Sequence, residues 1–300
     1  MNNQTILITG SEGKIGRYLL DEIKDKGYSV RALYHKGALK SESNDIDFFK
    51  ADLLEPESYV SALKDVSTVI HAAGITHTNN ADLYYKVNSF GTLQLLKLCK
   101  KYGVKRFIFF STRAISFDGG HYSRSKNIAE KYVRESGVDW VILRFGEIYG
   151  TGSNKGIDAL LNHVDRFPFI PIVGNGKYTL MPVYIRDAVS SVIKVLENGN
   201  IHNRIYTISG PEVVSYNELI DRILAVKMVK KRKIHIPIIA FRALSAVLAS
   251  LTADTFLVKD QLPRLICEKS NDISLARKEL HFNPGKMEDT PPFSLKGIRS

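Results

Sequence analysis

The sequence contains very little cysteine. Only Cys99 and Cys267 occur among 300 residues, and neither belongs to a CxxC pair or a Cys/His cluster. Disulfide scaffolds and structural zinc sites need such sets of ligands, so we expect neither a disulfide framework nor a metal site. No basic leader precedes the first strand-like run, which argues against a cleaved signal. These absences predict a protein of the reducing cytoplasm.

Long apolar runs without charge are also lacking. The most apolar region, Ile234–Val258, is interrupted by Arg242 and Asp254, and the uncharged run between them, Ala243–Ala253, has only 11 residues. About 20 residues are needed to cross a bilayer, so a membrane span is excluded for this region. We expect an internal or interface helix here; a surface helix that touches a membrane is the alternative.

Basic residues outnumber acidic ones, 42 to 31, and the formal net charge is +11. Such a balance favours anionic partners such as phosphates, nucleic acid or acidic lipid, without choosing among them. Apart from the run Lys227-x-x-Lys230-Lys-Arg-Lys233 the basic residues are scattered, and no recognition motif accompanies them. We therefore predict no nucleic-acid binding.

Strand-like and helix-like runs alternate through the first half of the chain. Apolar spacing near 3.6 residues occurs in Ile15–Lys26 and Asp82–Tyr102. The alternation is typical of a doubly wound α/β fold, in which helices cover both faces of a parallel sheet. The predicted strands are Thr5–Thr9, Ser29–Tyr34, Asp47–Lys50, Thr68–Ala72, Arg106–Ser111 and Trp140–Arg144.

The composition changes after Gly150. A stretch rich in Gly, Ser and Asn, residues 150–156, is followed by mixed elements with several prolines. A further strand is predicted at Tyr206–Ser209, and Ser215 and Glu218 have the spacing of a capping box before an apolar helical run. We predict a sheet domain over residues 1–150 and a smaller substrate-binding lobe over residues 151–300, with some segments of the lobe returning to the sheet domain.

A glycine-rich turn follows the first predicted strand directly. Gly10, Gly13 and Gly16 stand at the spacing GxxGxxG, between that strand and a helix. The first glycine allows a tight turn, the second lets amides approach a pyrophosphate, and the third lets the helix pack on the strand. This arrangement predicts a Rossmann dinucleotide-binding site. The other predicted contacts in the turn are Glu12, Lys14 and Ile15.

The end of the second predicted strand bears on the choice between NAD and NADP. Sites that prefer NAD usually carry an acidic side chain there, which binds the ribose hydroxyl groups. This sequence reads Val30-Arg-Ala-Leu-Tyr-His-Lys36 and has no acid in that stretch. Arg31, His35 and Lys36 could bind a 2′-phosphate, with Arg31 and His35 as the predicted cofactor contacts, so NADP is favoured over NAD.

Tyr122 and Lys126 form a YxxxK pair. On a helix they share one face, and a nearby ammonium lowers the pKa of a phenol from about 10 toward working pH. Such a tyrosine can move the proton of a carbonyl/alcohol pair while a nicotinamide carries hydride. Thr112 ends the preceding strand at the edge where open α/β sheets bind ligands, and its hydroxyl is predicted to hold the substrate oxygen, with Ser111 as the alternate.

Several motifs together resemble one family, the extended short-chain dehydrogenase/reductases, often called the NAD-dependent epimerase/dehydratase family. The resemblance continues to Leu280-His-Phe-Asn-Pro284 and so covers nearly the whole chain. The motifs are Gly10-x-x-Gly13-x-x-Gly16, Asp52, His71-Ala-Ala-Gly74, Asn88, Ser111-Thr112, Tyr122-x-x-x-Lys126, Leu143-Arg-Phe-Gly-Glu-Ile-Tyr-Gly150 and Pro182-Val-Tyr-Ile-Arg-Asp187.

The resemblance implies roles for residues that carry no clear signal of their own. Asp52 would contact the adenine end of the cofactor, Lys126 would also bind the nicotinamide ribose, and Asn88 would support the active site. The remaining predicted cofactor contacts are Leu53, Ala72, Ala73, Gly74 and Phe145.

The sequence departs from the family at positions that bear on the substrate. Family members that make 4-keto-6-deoxy sugars have an acidic pair just after the Ser/Thr, where this chain has Arg113 and Ala114, so a 4,6-dehydratase is not expected. Sugar-nucleotide enzymes often have Asn shortly after the Leu-Arg of the strand, where this chain has Glu147. The predicted substrate contacts are Asn154, Lys177 and Arg186.

Three functional hypotheses follow. The first is an epimerase or keto-reductase of a nucleotide-linked sugar, with Tyr122 as acid/base. The second is a noncatalytic NADP-binding accessory subunit, because the chain from Asp165 to Tyr184 also resembles the Rossmann subunit of respiratory complex I. The third is a reductase of a lipid- or steroid-like alcohol. Family members commonly pair through the helices that would contain Asp82–Tyr102 and Tyr122–Ser136, so a homodimer is expected.

Overall fold

A seven-stranded sheet forms the centre of the computed structural model, which describes residues 4–36, 46–166, 168–243 and 260–294. Its strands are β1 Thr5–Thr9, β2 Ser29–Tyr34, β3 Ile46–Lys50, β4 Val66–His71, β5 Arg106–Thr112, β6 Asp139–Phe145 and β11 Arg204–Ile208. All neighbours pair in parallel, in the order β3-β2-β1-β4-β5-β6-β11. This order confirms the predicted doubly wound Rossmann fold, and it reverses between β1 and β4.

The other described elements are helices and short strands. The α-helices are α1 Lys14–Ile23, α2 Ala81–Tyr84, α3 Thr92–Lys101, α4 Gly120–Arg134, α5 Gly156–His163, α6 Ile185–Glu197, α7 Tyr216–Val226, α8 Gln261–Ile266 and α9 Ser274–Leu280. A π-helix, Tyr85–Gly91, separates α2 from α3, and residues 238–243 are also helical. The short strands are β7 Ile148–Tyr149, β8 Phe169–Val173, β9 Thr179–Leu180, β10 Val183–Tyr184, β12 Val214–Ser215 and β13 Arg232–Ile236.

The sheet is buried on both faces because successive side chains of a strand point to opposite sides. In β1, Ile6 and Ile8 enter one core cluster, together with apolar residues of α1 and α6. Leu7 enters the other cluster, together with residues of α3 and α4. Because all seven strands are parallel, the loops that leave their carboxyl ends meet at one edge of the sheet, which we call the carboxyl edge.

The chain after residue 150 contributes to two layers. Residues of α6, β11 and α9 join the core on one face of the sheet. A separate core cluster is formed mainly by α5, β8 and α7, with Ile157, Ile172 and Leu219 among its members. The short strands pair as β7 with β10, β9 with β12, and β8 with β13. The division of the chain at residue 150 stays a prediction.

The long predicted helix Asp82–Tyr102 consists of three pieces, α2, the π-helix and α3. A π-helical turn widens the backbone locally and is found mostly at functional sites. Here it carries Asn88, which is 1% exposed. The predicted capping box at α7 is confirmed, since Ser215 Oγ accepts the Glu218 amide at 3.1 Å and the Glu218 carboxylate accepts the Ser215 amide at 2.6 Å.

Within the described ranges, no helix has the length and apolar content that crossing a membrane requires. The same ranges hold no cluster of three or more His, Cys, Asp or Glu side chains that could bind a metal ion. Residues 244–259, which make up much of the predicted apolar helix of Ile234–Val258, lie outside the described residues.

Candidate active site

The glycine turn lies at the carboxyl edge, where the strand order reverses. Gly10 has φ +69°, and a Cβ there would stand 2.6 Å from the Ala73 amide nitrogen, while a Cβ on Gly16 would overlap the Gly10 carbonyl oxygen. α1 begins after Gly13 with no side-chain cap and no acidic residue in its first turn. Its first amides can therefore bind a phosphate, and the turn fits a dinucleotide.

Two other residues of the turn are partly covered. Lys14 is half-buried, and burial lowers the pKa of its ammonium, which the nearby Asp158 opposes. Ile15 packs against the core of the sheet. Asp158 also accepts the Gly150 amide at 2.7 Å and the Thr151 amide at 3.0 Å, so the loop after β7 is held close to the glycine turn.

A buried histidine holds the loop after β4. His71 Nδ1 lies 2.7 Å from Thr9 Oγ1, which accepts the Ala73 amide, and His71 Nε2 lies 2.9 Å from Thr92 Oγ1. Thr92 donates its hydroxyl proton to the Asn88 carbonyl, so His71 donates through Nε2 and accepts through Nδ1. Burial, with a smaller effect of a nearby ammonium, lowers the pKa of His71 to about 3. The imidazole is therefore a neutral structural link.

Asn88 connects the loop after β4 with α4. Its Oδ1 accepts the Ile75 amide at 2.7 Å, and its Nδ2 donates to the Ile75 carbonyl at 2.9 Å and to Ser125 Oγ at 3.1 Å. Ser125 in turn donates to the Tyr122 carbonyl at 2.8 Å. A Cβ on Gly74 would stand 3.0 Å from Asn88 Oδ1. Asn88 thus positions the tyrosine helix relative to the loop predicted to line the cofactor.

Arg31 does not reach the carboxyl edge. It lies in the middle of β2, and its guanidinium donates to the carbonyl oxygens of Ala62, at 3.0 Å, and of Lys64. The predicted contact between Arg31 and a 2′-phosphate is therefore corrected by the structure, because the side chain ties β2 to the segment that precedes β4.

Two carboxylates stand at the end of β2. The Glu12 carboxylate accepts the Lys36 amide at 3.0 and 3.2 Å, so the glycine turn is joined to the residues that follow β2. His35 Nε2 lies 3.3 Å from Asp52 Oδ2, and Asp52 Oδ1 accepts the Leu54 amide at 2.9 Å. A carboxylate from the glycine turn therefore lies at the end of the second strand, although the sequence there has no acid. The neighbouring Leu53 is half-buried beneath Gly91 of the π-helix.

Thr112 lies close enough to the Tyr122 phenol to lower the pKa of that group. Tyr122 is 9% exposed on α4, and Thr112 is the last residue of β5. The preceding residue, Ser111, instead donates to the buried Glu130 carboxylate at 2.6 Å. Neighbouring residues of a strand point to opposite sides, so only one of the two hydroxyl groups can face the tyrosine. The structure places Thr112 there and not the alternate, Ser111.

Lys126 is buried one turn after the tyrosine. Its Nζ lies 4.1 Å from the centre of the Phe109 ring, and a Cβ on Gly74 would stand 3.9 Å from it. Burial lowers the pKa of Lys126 to about 7, although the Glu130 carboxylate partly opposes this shift. A lysine kept at such a position, at the edge of the loop after β4, is a candidate for binding a polar ligand group.

Sequence reasoning missed Asp260 and Arg264, which approach Tyr122 from the far end of the chain. The Asp260 carboxylate accepts the His121 amide at 2.6 Å and the Tyr122 amide at 3.0 Å, and so caps the first turn of α4. The Arg264 guanidinium carbon lies 4.8 Å from the centre of the Tyr122 ring, and its Nη1 donates to the Thr76 carbonyl at 3.2 Å. No sequence motif marks either residue.

These contacts change the explanation of the tyrosine's acidity. Burial raises the pKa of Tyr122, while the Arg264 charge and the hydrogen bond from Thr112 lower it and the Asp260 charge raises it. From the sequence alone, Lys126 is the residue expected to lower the pKa of Tyr122. In the structure the cation over the phenol ring is Arg264.

A buried charge cluster lies beyond Thr112. Arg113 Nη2 donates to both oxygens of Glu147, at 2.9 and 3.1 Å, and its Nη1 donates to Asn271 Oδ1 at 2.8 Å. Lys269 Nζ lies 3.6 Å from Glu147, which also accepts the Met181 amide at 3.0 Å. The two cations hold the pKa of Glu147 below its usual range, against the effect of burial. The two positions that depart from the family pattern, 113 and 147, are thus partners.

The remaining predicted contacts are scattered. Phe145 is 5% exposed and packs within the core, with its ring centre 4.9 Å from that of Phe110, and its contact with the cofactor stays a prediction. Arg186 Nη1 lies 3.8 Å from Glu22 of α1, and its substrate contact stays a prediction as well. Asn154 and Lys177 are exposed loop residues whose substrate contacts stay predictions.

Known proteins share this sequence pattern. The model of the NAD dependent epimerase/dehydratase family matches residues 6–209. UDP-glucose 4-epimerase of Vibrio cholerae is 26% identical over 312 residues, which cover 94% of this chain and 91% of that protein. Sterol-4-alpha-carboxylate 3-dehydrogenase, decarboxylating, of Mus musculus is 23% identical over 258 residues, covering 77% and 70%. NADH dehydrogenase (ubiquinone) 1 alpha subcomplex subunit 9 of Dictyostelium discoideum is 27% identical over 225 residues, covering 72% and 62%.

Solved structures share the fold over almost the whole chain. UDP-glucuronic acid 4-epimerase from Bacillus cereus, in complex with UDP-glucuronic acid and NAD, has a TM-score of 0.79 at 21% identity and covers 99% of both chains. UDP-glucose 4-epimerase from Thermotoga maritima, with UDP-glucose, has a TM-score of 0.77 at 21% identity, again covering 99% of both. At this level of identity the likeness concerns the fold.

Proposed function

This chain belongs to the NAD dependent epimerase/dehydratase family, and on that basis we propose that it is an NAD-dependent epimerase or keto-reductase of a nucleotide-linked sugar. The observation that carries the proposal is that Thr112, the last residue of β5, lies beside the Tyr122 phenol at the carboxyl edge, where open α/β sheets bind their ligands. Lys126, one turn further along the helix, is buried toward the same edge.

In this proposal the chain's own groups hold the substrate and move one proton. Bound NAD supplies the hydride acceptor and donor. Thr112 binds the reacting oxygen, and Tyr122 takes the proton of the sugar hydroxyl as that carbon becomes a carbonyl, or returns it in reduction. The Arg264 charge favours the phenolate form during the transfer, and Lys126 is available to bind the nicotinamide ribose. The glycine turn binds the pyrophosphate through the first amides of α1.

A single assay separates the two activities. The purified chain is incubated with UDP-glucose, UDP-glucuronic acid and a UDP-4-keto sugar, with and without added NADH. Product without net NADH use identifies an epimerase, and stoichiometric NADH use identifies a reductase. Tyr122→Phe should lower kcat by at least about 100-fold. Tyr132→Phe, on the same helix, is the matched control, and a rate that survives Tyr122→Phe would contradict the proposal.

We also propose NAD rather than NADP as the cofactor. The expectation of NADP depended on Arg31 and His35, but Arg31 binds backbone carbonyls and His35 faces Asp52. A 2′-phosphate at the end of β2 would meet the carboxylates of Glu12 and Asp52, and like charges repel. Isothermal titration should show NAD binding about tenfold or more tighter than NADP. Equal affinity of the two cofactors would contradict this preference.

The positions after Thr112 support a reaction other than 4,6-dehydration. Elimination of water from a sugar needs a carboxylic acid near the reacting carbon, as in the family's dehydratases. Here Arg113 follows, and its guanidinium is held by Glu147 and Asn271. The same screen with dTDP-glucose should yield no 4-keto-6-deoxy product.

A second candidate function is the interconversion of a lipid- or sterol-like alcohol and its ketone, in which the alcohol gives hydride to NAD or the ketone takes hydride from NADH. The observation that favours it is the likeness to a sterol dehydrogenase over 77% of this chain. Adding an aliphatic alcohol and a sterol, each with NAD, to the substrate screen distinguishes the candidates. A noncatalytic accessory subunit would bind NAD yet oxidise, reduce or epimerise none of these compounds.

We further propose that the chain pairs with a second copy through the π-helix and α4. Phe90 on the π-helix is 49% exposed and Ile128 on α4 is 37% exposed, and both lie on the helices through which the family commonly pairs. Phe90→Asp should shift the chain toward the monomer in light scattering. Phe117→Asp, which alters an 82% exposed phenylalanine outside these two elements, is the control.

A further inference from the structure

The small sheet of β8 and β13 has one buried and one exposed face. Ile170 and Ile172 of β8 enter the core formed by α5 and α7, whereas Phe169 and Pro171 are exposed. Pro171 is paired in register with Ile234 of β13, which is 40% exposed, and Phe169 is 42% exposed. Apolar side chains therefore lie side by side on the outer face of this sheet.

Exposed apolar residues continue beyond both ends of β13. Met228, just before the strand, is 74% exposed, and Ile239, just after it, is 83% exposed. Single exposed apolar residues are common on protein surfaces, but a group of them along one element marks a site of interaction. We call the region formed by Phe169, Met228, Ile234 and Ile239 the β13 surface.

Basic residues predominate around the β13 surface. From residue 222 to residue 253 the sequence contains no aspartate or glutamate and seven basic residues, which are Arg222, Lys227, Lys230, Lys231, Arg232, Lys233 and Arg242. Arg222 pairs with Glu212 and Lys233 with Asp221. Lys227, Lys230 and Arg232 are exposed, interleaved with the apolar side chains. Cations and apolar groups are therefore presented together.

We propose that the β13 surface binds the surface of an anionic phospholipid bilayer. Headgroup phosphates attract the lysine and arginine side chains. The isoleucine, methionine and phenylalanine side chains are buried at the boundary between the headgroups and the acyl chains. Exposed aliphatic groups would gain nothing on a nucleic acid, whose cation-binding partners are phosphates and whose bases stack on aromatic or guanidinium planes. The chain would lie on the bilayer through this surface without crossing it.

The test uses the full chain and vesicles of two compositions. One contains phosphatidylcholine alone, and the other includes about 30% phosphatidylglycerol as the anionic lipid. We expect co-sedimentation with the anionic vesicles only, and a sharp loss of binding near about 0.5 M salt, where the charges are screened. The assay needs no substrate, so its result is separate from that of the enzyme assays.

Matched variants distinguish the β13 surface from nonspecific adsorption. Ile239→Asn, and the pair Lys227→Gln with Lys230→Gln, should each lower vesicle affinity about fivefold or more. Their controls are Phe117→Asn, equally exposed elsewhere, and the pair Lys100→Gln with Lys101→Gln at the end of α3. The controls should bind as the native chain does, and thermal melts should show that all variants remain folded.

Several results would overturn the proposal. These are no sedimentation of the native chain with anionic vesicles, an equal loss of affinity in the control variants, and full binding by Ile239→Asn together with competition by duplex DNA. The last result would show that the surface binds nucleic acid, because binding would then depend on the basic side chains and not on the apolar ones.

Discussion

The two sides of the carboxyl edge are built in different ways. On the side that begins with Gly10, most contacts that shape the site involve backbone atoms, such as the close approach of Gly10 to Ala73 and the uncapped start of α1. On the side of Tyr122, the site is made of side chains that arrive from distant parts of the chain. Asp260 and Glu147 are examples, since the Asp260 carboxylate binds amides of α4 and the Glu147 carboxylate binds Arg113 and Met181.

The two sides therefore differ in which substitutions would damage them. A backbone-built site tolerates almost any side-chain change except the addition of a Cβ where chains touch. A site built from buried charges depends on every partner, because removal of one leaves the others uncompensated. The following predictions compare the two sides.

Gly10→Ala should have the largest effect. The new Cβ would overlap the backbone of Ala73, and φ would remain at +69°, so we expect a loss of about 4 kcal/mol in unfolding free energy together with loss of NAD binding. Gly27→Ala is the matched control, because its φ is +72° but nothing lies within 4 Å of its Cβ. Urea titration should show a loss of only about 1 kcal/mol for the control. Equal losses in the two variants would show that close packing at Gly10 is unimportant.

Glu147→Gln should destabilise the tyrosine side by about 3 kcal/mol. The change leaves Arg113 and Lys269, whose side chains are 1% and 3% exposed, without their shared carboxylate. The folded-state pKa of Glu147 is lowered, so its contribution is present above the pKa of the unfolded chain and is lost as pH falls through the lower folded value. The native and variant proteins should therefore converge in stability at strongly acidic pH.

The control for this change is Glu197→Gln, which removes the partner of Lys26 in an exposed ion pair. Such a pair contributes less than about 1 kcal/mol. If the two variants lost the same stability at neutral pH, the charges around Glu147 would not act as a buried cluster.

Lys126→Met should raise the free energy of unfolding by about 1–2 kcal/mol near neutral pH. The same change should abolish activity. The pKa of Lys126 falls from 10.5 to about 7 on folding, so between these values the unfolded chain binds more protons and the native protein gains stability as pH rises. The advantage of the variant should therefore be largest at pH 7 or below and shrink toward pH 10. Thermal melts across this range check the sign. A variant less stable than the native protein would show that the ammonium has partners that offset its burial.

Arg264→Met should raise the pKa of Tyr122, because it removes the cation that lies over the phenol ring. The other groups that act on the phenol are Thr112, Tyr84 and Asp260, and they are unchanged. Titration of tyrosine labelled at Cζ by NMR, assigned with Tyr122→Phe, measures the shift without any substrate, and the acidic limb of the rate profile should move to higher pH.

Two companions sharpen this test. Arg264→Lys should restore most of the native value. Arg124→Met removes a guanidinium that lies 4.9 Å from the Phe117 ring, on the tyrosine's own helix, and should leave the pKa of Tyr122 unchanged. If Arg124→Met and Arg264→Met shifted it equally, the effect would be one of net charge and not of position.

The predictability of the site follows the same division. The strands that carry it were predicted within a few residues, because short apolar runs rich in β-branched and aromatic residues are local signals. The π-helix was not predicted, since its apolar spacing is close to that of the α-helix on either side. Ser111 and Thr112 could not be told apart from the sequence, because the choice depends on which face of β5 is turned toward α4.

Charges were the least predictable feature. Three basic residues, Arg31, His35 and Lys36, are close in sequence to the cofactor end of β2. Arg31 nevertheless donates hydrogen bonds to carbonyl oxygens of the segment before β4. The carboxylate of Glu12 lies at the cofactor end instead. Long side chains can bind partners several residues or several strands away, so their direction is not encoded in the spacing of the chain.

By itself the sequence determined the parallel sheet, the glycine turn and the one-turn separation of Tyr122 and Lys126, because each depends on residues that are neighbours along the chain. Only the tertiary structure decided that Thr112 faces the Tyr122 phenol, that Arg264 lies over the phenol ring and that the Glu12 carboxylate lies at the end of β2. Those relations join residues up to 142 positions apart, and they exist only once packing has fixed which side chains share a dry space.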